Sequence, residues 1–216
     1  MQPVKVSSDA ERIYVQYGCG WCAPLSWINY DASPVLRFER IPLLGRLYTK
    51  NPARFPANAK YGDIAMGLPI ADNVCDGVYC SHVLEHLSLE DCEKALKNTY
   101  RILKNGGVFR LVMPDLERYV MDYVNDPSPE AAMRFMRETA IGKERRSSSV
   151  GALVRESFGH SQHNWLWDYK SIERKLHEAG FSSIRRARWG DAQDPAFMEV
   201  EDKSRWADCL GVECKK

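Results

Sequence analysis

Residues 74–115 read VCDGVYCSHVLEHLSLEDCEKALKNTYRILKNGGVFRLVMPD, and this stretch decides the fold. It opens with a short apolar run, residues 74–80, of the kind that forms a buried strand. From Leu89 the apolar positions follow the three-to-four spacing of an amphipathic helix. Asn105-Gly106-Gly107 is expected to end that helix, and a second strand follows over residues 108–113. This order predicts parallel strands, because parallel neighbours need a crossover connection.

Further strand and helix patterns flank this unit. Upstream, three β-prone runs end at Tyr17, Asp31 and Tyr61. Downstream, a helix that begins after Asp168 precedes two more strands, at residues 183–188 and 210–214. We therefore predict an α/β fold, a doubly wound, Rossmann-like, mostly parallel seven-stranded sheet whose last strand is antiparallel. The whole chain, 1–216, is predicted to be a single domain with a helical lid inserted at about 115–160.

The composition is that of a globular protein. Of the 216 residues, 44% are hydrophobic and 27% are charged, and the net charge of +1 provides no field to attract nucleic acid or an anionic membrane. No stretch approaches the roughly 20 apolar residues of a membrane span, and no secretory leader is recognisable, so we expect a cytoplasmic protein. The seven cysteines are interpreted as reduced thiols. No oligomeric state is indicated.

A glycine turn follows the first strand. Gly18-Cys19-Gly20 lets the backbone approach a ligand closely, because glycine has no side chain in the way. The same residues fit the start of a dinucleotide fingerprint, which also requires a full helix and an acid about 20 residues later. Here Asp31 comes only 11 residues after Gly20, and Pro24 interrupts the segment. A nicotinamide enzyme is therefore disfavoured.

Ordered motifs along the chain resemble those of class I S-adenosylmethionine-dependent methyltransferases of type 11. The segments that carry the resemblance are YGCG (17–20), Asp31, GDIAMGLPIADNVCDGVYCSHVLEHL (62–87), RILKNGGVFRLVMPD (101–115) and LHEAGF (176–181). The chain is also similar to a subgroup of small bacterial methyltransferases with a shortened first cofactor loop, often associated with surface-polysaccharide genes. In most class I enzymes a whole helix stands where this chain has residues 21–28.

The resemblance implies S-adenosylmethionine as the cofactor and a set of residues that would contact it: Gly18, Cys19, Gly20, Asp31, Asp63, Ile64, Ser81 and His82. Asp31 would accept both ribose hydroxyls, and Asp63 would accept from the adenine amino group. The Ile64 amide would donate to the adenine ring, and Ser81 would line the methionine end. For both acids, capping of a turn is the alternative interpretation.

Two patterns in the sequence resemble metal sites. His82-Val83-Leu84-Glu85-His86 has the H-x-x-E-H form of the inverted zinc proteases, but it follows a strand directly and matches the HVLEHL typical of methyltransferases. Cys19 and Cys22 lack a second pair with the spacing of a zinc site, and buried thiols are the favoured interpretation. We therefore expect no metal. His86 remains open between a catalytic role and a hydrogen bond to a neighbouring loop.

Residues 158–167, FGHSQHNWLW, concentrate histidines and aromatic side chains outside the cofactor motifs. If the methyl acceptor is a hydroxyl, a nearby histidine can remove its proton, for which we rank His163 first and His160 second. The alternative is that both histidines only tie the lid to the body. The predicted function is methyl transfer to a small-molecule or saccharide acceptor. The competing hypothesis is a non-catalytic binding or regulatory protein that keeps the fold.

Overall fold

The computed structural model describes residues 12–41, 54–142 and 162–216. These residues contain a seven-stranded sheet in the order β3-β2-β1-β4-β5-β7-β6. All neighbours are parallel except β7, which runs antiparallel to both β5 and β6. The strands are β1 Tyr14–Tyr17, β2 Ile28–Asp31, β3 Ala59–Tyr61, β4 Cys75–Ser81, β5 Leu103–Pro114, β6 Ser182–Ala187 and β7 Cys209–Lys215. The predicted fold class is confirmed.

Helices cover the sheet and flank its carboxyl edge. They are α1 Pro34–Glu39, α2 Leu89–Ile102, α3 Leu116–Asn125, α4 Ala131–Glu138, α5 Tyr169–Ala179 and α6 Lys203–Trp206, with 3-10 turns at Leu84–His86 and Pro195–Glu199. Helices α2 and α5 bury their apolar stripes, including Leu96 and Leu176, in one core beneath the sheet. Burying each such leucine contributes about 1.5–3 kcal/mol. None of the helices among the described residues is long and apolar enough to cross a membrane.

Strand β5 alternates between two cores, as the two-residue period of a strand requires. Phe109, Leu111 and Met113 point into the core that contains α2 and α5. Val112 points to the opposite face, where it joins Trp206 and its aromatic neighbours. Both faces of the central strand are thus covered by apolar packing.

Arg110 is fully buried on the second face of β5. Its guanidinium forms ion pairs with Glu201, with Asp191 at 2.9 Å and with Glu213 at 3.0 Å, and it donates to the carbonyl oxygen of Arg188 at 2.6 Å. The same group lies 4.6 Å from the ring centre of Trp206. Residues from β5, β7 and the segment between β6 and β7 are therefore joined through one buried charge.

The connection between β1 and β2 folds back over the strands without forming a helix, as predicted. Two buried amide side chains hold it in place. Gln16 donates to the carbonyl oxygen of Cys22 at 2.7 Å, and Asn29 donates to that of Pro24 at 2.9 Å. Polar residues on β1 and β2 therefore satisfy loop carbonyls that a crossover helix would satisfy internally.

The end of helix α2 was predicted wrongly. Helix α2 ends at Ile102, before the glycines, because Leu103 already pairs with Cys75 of β4. The next pair in the register is Gly77 with Val108, and Gly106 (φ +80°) lies in the irregular stretch of β5 between Leu103 and Val108.

Helices α3 and α4 form the start of the predicted lid and pack against each other. Asp115 caps α3 by accepting the Glu117 amide at 3.0 Å. Residues 143–160 of that prediction, which include His160, lie outside the described residues.

Candidate active site

A cavity of about 580 Å³ lies at the carboxyl ends of β1, β2 and β4. Chain order reverses between β1 and β4, because β2 and β3 lie on one side of β1 and β4 lies on the other. Ligands of open α/β sheets bind at such a switch point. The structure places every predicted cofactor residue on the wall of this cavity, namely Gly18, Cys19, Gly20, Asp31, Asp63, Ile64, Ser81 and His82.

The glycine turn approaches the first residues after β4. Gly18 and Gly20 have φ values of +69° and +52°, in the left-handed region that favours glycine. A Cβ atom at Gly18 would lie 2.2 Å from Cγ2 of Val83, whereas a Cβ at Gly20 would meet no atom within 4 Å. Gly18 is thus required by both backbone conformation and space, and Gly20 by conformation alone.

Asp31 ends β2 with its carboxylate at the cavity wall. One oxygen accepts the backbone amide of Gly20 at 2.9 Å, and the other accepts that of Ser33 at 2.8 Å. Asp31 therefore does cap turns, the alternative interpretation of this residue. A carboxylate offers about four acceptor sites, so both oxygens retain capacity for ligand hydroxyls. Asp63 similarly accepts the Ala65 amide at 2.9 Å while lining the cavity.

His82 has a strained backbone and a fixed ring. Its φ of +53° is uncommon for a residue with a side chain. Nε2 lies 2.9 Å from the carbonyl oxygen of Arg205, and Nδ1 lies 3.2 Å from Oε1 of Glu85. Burial lowers the pKa of His82, but contacts with Cys209, Glu85 and the Arg205 carbonyl outweigh it and raise the pKa to about 9. These contacts favour the protonated form of the His82 ring.

This arrangement differs from an inverted zinc-protease site. Both ring nitrogens of His82 face other groups, and Leu84–His86 is a single 3-10 turn rather than part of a long helix. His82 and His86 therefore do not form the pair of metal ligands that the H-x-x-E-H motif supplies.

Arg205 of α6 adds a second cation to the same wall. Its Nε donates to Oγ of Ser81 at 2.8 Å, and its Nη2 donates to the Ser81 carbonyl at 3.0 Å. Arg205 also lines the cavity. With the His82 ring beside the Arg205 guanidinium, this end of the cavity favours a negatively charged ligand group.

A second group of titratable side chains adjoins the cavity, formed by Glu85, His86 and His163. One ligating atom from each lies within 4.8 Å of the others. The rings of His86 and His163 have their centres 5.0 Å apart. His86 lines the cavity itself, whereas His163 is not among the lining residues. The structure thus brings together two of the three predicted catalytic histidines.

Backbone carbonyls set the orientation of both histidines. Nδ1 of His86 donates to the carbonyl oxygen of Gln162 at 3.0 Å, and Nδ1 of His163 donates to that of Thr139 at 2.8 Å. Because carbonyl oxygens only accept, the lone pair of each neutral ring is on Nε2. Burial lowers the pKa of His163, which favours its neutral form.

Comparison with known proteins agrees with this geometry. A family described as a methyltransferase domain matches residues 15–111, from β1 into β5. Residues 15–111, slightly less than half of the chain, are thus similar to S-adenosylmethionine-dependent methyltransferase domains. The match includes every predicted cofactor residue and His86, and it ends before His163 and Arg205.

The chain has a relative described as the O-methyltransferase resE of Aspergillus sclerotiorum, which is 27% identical over 165 residues. The match covers 71% of this chain and 56% of that protein, so the chain spans little more than half of the relative's length. A methyltransferase structure from Archaeoglobus fulgidus has 14% identity and a TM-score of 0.50, with 95% of this chain and 86% of that one covered. A structure described as PigF with SAH has 16% identity and a TM-score of 0.52. The alignment covers 95% of this chain and 50% of that one.

Cys19, within the glycine turn, and Cys22, two residues after it, differ in exposure. Cys19 is buried, and burial raises its pKa to about 12. Cys22 is exposed, which corrects the prediction that both thiols are buried. It lies beyond the turn, where the backbone leads into the surface loop. All seven cysteines are free thiols, as predicted.

Sequence reasoning missed several residues of the methyltransferase cavity. Arg205 comes from a short helix far along the chain, and no motif marks it. Trp21 and Phe55 stack with ring centres 6.0 Å apart and line the cavity together. Trp21 could have been found from the sequence, because it directly follows the glycine turn. Phe55 could not, because its position at the cavity depends on tertiary contacts.

Proposed function

We propose that this methyltransferase domain transfers a methyl group to a hydroxyl of a small-molecule or saccharide acceptor. The observation that carries the proposal is the pair of oriented histidines, His86 and His163, beside the cofactor cavity. A hydroxyl is a weak nucleophile until its proton is removed, and a neutral imidazole can accept that proton near neutral pH. The name of the Aspergillus relative, an O-methyltransferase, also supports an oxygen acceptor.

The cavity fits the cofactor in size and in polarity. Its volume of about 580 Å³ lies within the usual range of small-molecule sites. Acids line one part of the wall, where Asp31 would hold the ribose hydroxyls and Asp63, with the Ile64 amide, the adenine. Cations line another part, where Arg205 and His82 would face the methionine carboxylate.

In this proposal the bound cofactor supplies an electrophilic sulfonium methyl group. The chain's own residues orient the acceptor, exclude water and take up a proton. Nε2 of a histidine accepts the hydroxyl proton while the acceptor oxygen bonds to the methyl carbon and the sulfur–carbon bond breaks. We keep His163 as the first candidate for this base, followed by His160 and His86.

The predicted domain organisation extends this proposal. Helices α3 and α4 begin a lid at about residues 115–160 within a single domain of residues 1–216. His163 links this lid to the site, because its amide donates to the Ala140 carbonyl and its ring to the Thr139 carbonyl, just after α4. Movement of α4 would therefore move His163, so closure of the lid would complete the site.

The test is release of S-adenosylhomocysteine in the presence of a panel of small hydroxylated compounds and saccharides. We expect turnover with at least one acceptor and a methyl ether product identified by mass spectrometry. His163→Gln should lower kcat more than about 100-fold if His163 is the base. His177→Gln, which changes an exposed histidine on α5, is the matched control and should leave kcat unchanged. Tight cofactor binding without turnover on any acceptor class would favour a non-catalytic binding protein instead.

A further inference from the structure

We propose that Glu85, His86 and His163 bind one divalent transition-metal ion, with zinc as the best-matched ion. The three side chains offer two imidazole nitrogens and a carboxylate, which is a ligand set that zinc uses in catalytic sites. Their ligating atoms already lie within 4.8 Å of one another. A tetrahedral ion with bonds of about 2.1 Å needs ligands about 3.4 Å apart, so modest side-chain rotations would complete the site.

The orientation of the two histidines is that of metal ligands. In metal sites the ring nitrogen that does not bind the ion usually donates to a backbone carbonyl or a carboxylate. Both rings show this pattern, because their Nδ1 atoms donate to the carbonyls of Gln162 and Thr139. The nitrogen that carries the lone pair is therefore Nε2 in each ring. For His86, Nε2 lies 4.0 Å from Oε1 of Glu85.

Glu85 supplies an independent observation. Its side chain is 1% exposed, and neither carboxylate oxygen has an aligned hydrogen-bond donor among the described residues. Its ion-pair partner is the ring of His82, whose Nδ1 lies 3.2 Å from Oε1. Burying a carboxylate is costly unless it is paired, and coordination of a metal is one of the ways in which proteins offset that cost. A bound ion would give this buried acid a second cationic partner.

The local backbone holds these three residues together. The Glu85 carbonyl accepts the amides of Asn164 at 2.8 Å and Trp165 at 3.1 Å, and the side chain of Asn164 donates to the His86 carbonyl at 2.6 Å. These bonds connect the 3-10 turn after β4 to the segment that carries His163. The proposed ligands are therefore positioned by main-chain contacts and do not depend on a metal for their approach.

The location suggests a role that rests on the proposed function. His86 lines the cofactor cavity, so an ion held there would face an acceptor in that cavity. A bound metal acidifies a coordinated hydroxyl, so the proton would pass to solvent and the oxygen would then take the methyl carbon. The histidines would in that case act as ligands and not as the base.

Metal binding can be tested without cofactor or acceptor. The full chain, stripped with a chelator and titrated with zinc sulfate in a calorimeter, should bind one equivalent. Cobalt(II) should give the visible absorption of a tetrahedral site. His163→Gln and Glu85→Gln should each weaken zinc binding more than about 100-fold. A loss of that size exceeds the effect of removing a residue that only hydrogen-bonds to a metal ligand. His177→Gln should bind zinc like the parent.

Each contrary result is informative. Absence of zinc binding to the folded parent at micromolar concentration would overturn the proposal. Binding that survives His163→Gln but is lost in Cys22→Ser would place the ion at the glycine turn and would also overturn it. Because Glu85→Gln alters a buried residue, circular dichroism must show that this variant folds. If the Glu85→Gln protein does not fold, zinc binding by His163→Gln alone decides whether the proposal holds. A protein that binds zinc through these residues but transfers no methyl group would contradict only the proposed function.

Discussion

The carboxylate of Asp31 accepts the backbone amide of Gly20 at 2.9 Å, so the end of β2 fixes the turn that follows β1. The acid and the glycine turn of the cofactor cavity therefore depend on each other. A change at Asp31 acts both on ligand hydroxyls and on the position of the turn.

Asp31→Ala should weaken S-adenosylhomocysteine binding by tenfold or more, since a hydrogen bond to a charged group contributes about 1.5–3 kcal/mol. Calorimetric titration measures the dissociation constant. Glu90→Ala, which removes a carboxylate that is 79% exposed on α2, is the control. An unchanged dissociation constant in a folded Asp31→Ala protein would contradict the proposed ribose contact.

Gly18→Ala should abolish detectable cofactor binding, because its Cβ would lie 2.2 Å from Cγ2 of Val83 in a left-handed backbone conformation. Gly20→Ala meets no such contact and should cost only about 1–2 kcal/mol of backbone strain. Adding Val83→Ala to Gly18→Ala should restore part of the binding by making space. Equal cofactor affinities for Gly18→Ala and Gly20→Ala would show that the close approach of Gly18 to Val83 does not matter for cofactor binding.

Arg110→Met should lower the free energy of unfolding by about 3–5 kcal/mol, because it leaves the fully buried carboxylate of Glu201 without its cation. Urea unfolding followed by circular dichroism measures the change. Arg174→Met is the comparison, since Arg174 is 80% exposed and, in the part of the chain that the structure describes, forms an ion pair only with Glu178 one helical turn away. Such exposed pairs contribute about 0.3–0.5 kcal/mol. Similar losses for the two variants would refute a structural role for the buried network.

Alkylation should distinguish the thiols of the glycine turn. At pH 8, N-ethylmaleimide should modify exposed Cys22 well before Cys19, because the thiolate reacts and burial raises the Cys19 pKa to about 12. Peptide mass spectrometry over time gives both rates, and Cys22→Ser removes the fast site. Faster modification of Cys19 than of Cys22 would mean that the turn opens in solution.

Asp168 should stabilise α5 in a pH-dependent way. It caps the helix by accepting the Ser171 amide at 2.8 Å, and bonds from the Ser171 side chain and backbone lower the pKa of its carboxyl group. A lowered pKa means that stability is present above the unfolded value, near 4, and is lost as the pH falls through the folded value. Asp168→Ala should cost about 1 kcal/mol at pH 7 and markedly less at pH 3. Urea unfolding at both pH values tests this, and an equal cost would exclude the charged cap.

The sequence predicted the strands and most helices because their hydrophobic periods and caps are local. It failed at the end of α2, where Asn105-Gly106-Gly107 have the composition of a helix stop. The pairing of Leu103 with Cys75 ends the helix earlier, and that pairing exists only in the folded sheet. The hydrophobic spacing and the glycines therefore predicted helix α2 but not the residue at which it ends.

The same distinction applies to the site. Motif residues such as Gly18 and Asp63 were found because they follow predicted strands, and the structure brings them to one cavity. Arg205 was missed because its contact with Ser81 joins residues that are 124 positions apart. The approach of His163 to His86 was not predictable either, since it depends on carbonyls of Thr139 and Gln162.

The place of β7 between β5 and β6 also governs when the protein can fold during synthesis. Among the described strands, β6 pairs only with β7, which the ribosome produces later. A nascent chain that has reached β6 therefore exposes an unpaired edge of β5, and Arg110 still lacks Glu201 and Glu213. Unpaired strand edges are templates for aggregation in partly folded chains. Release of residues 209–215 from the exit tunnel is thus the event that allows the sheet to close.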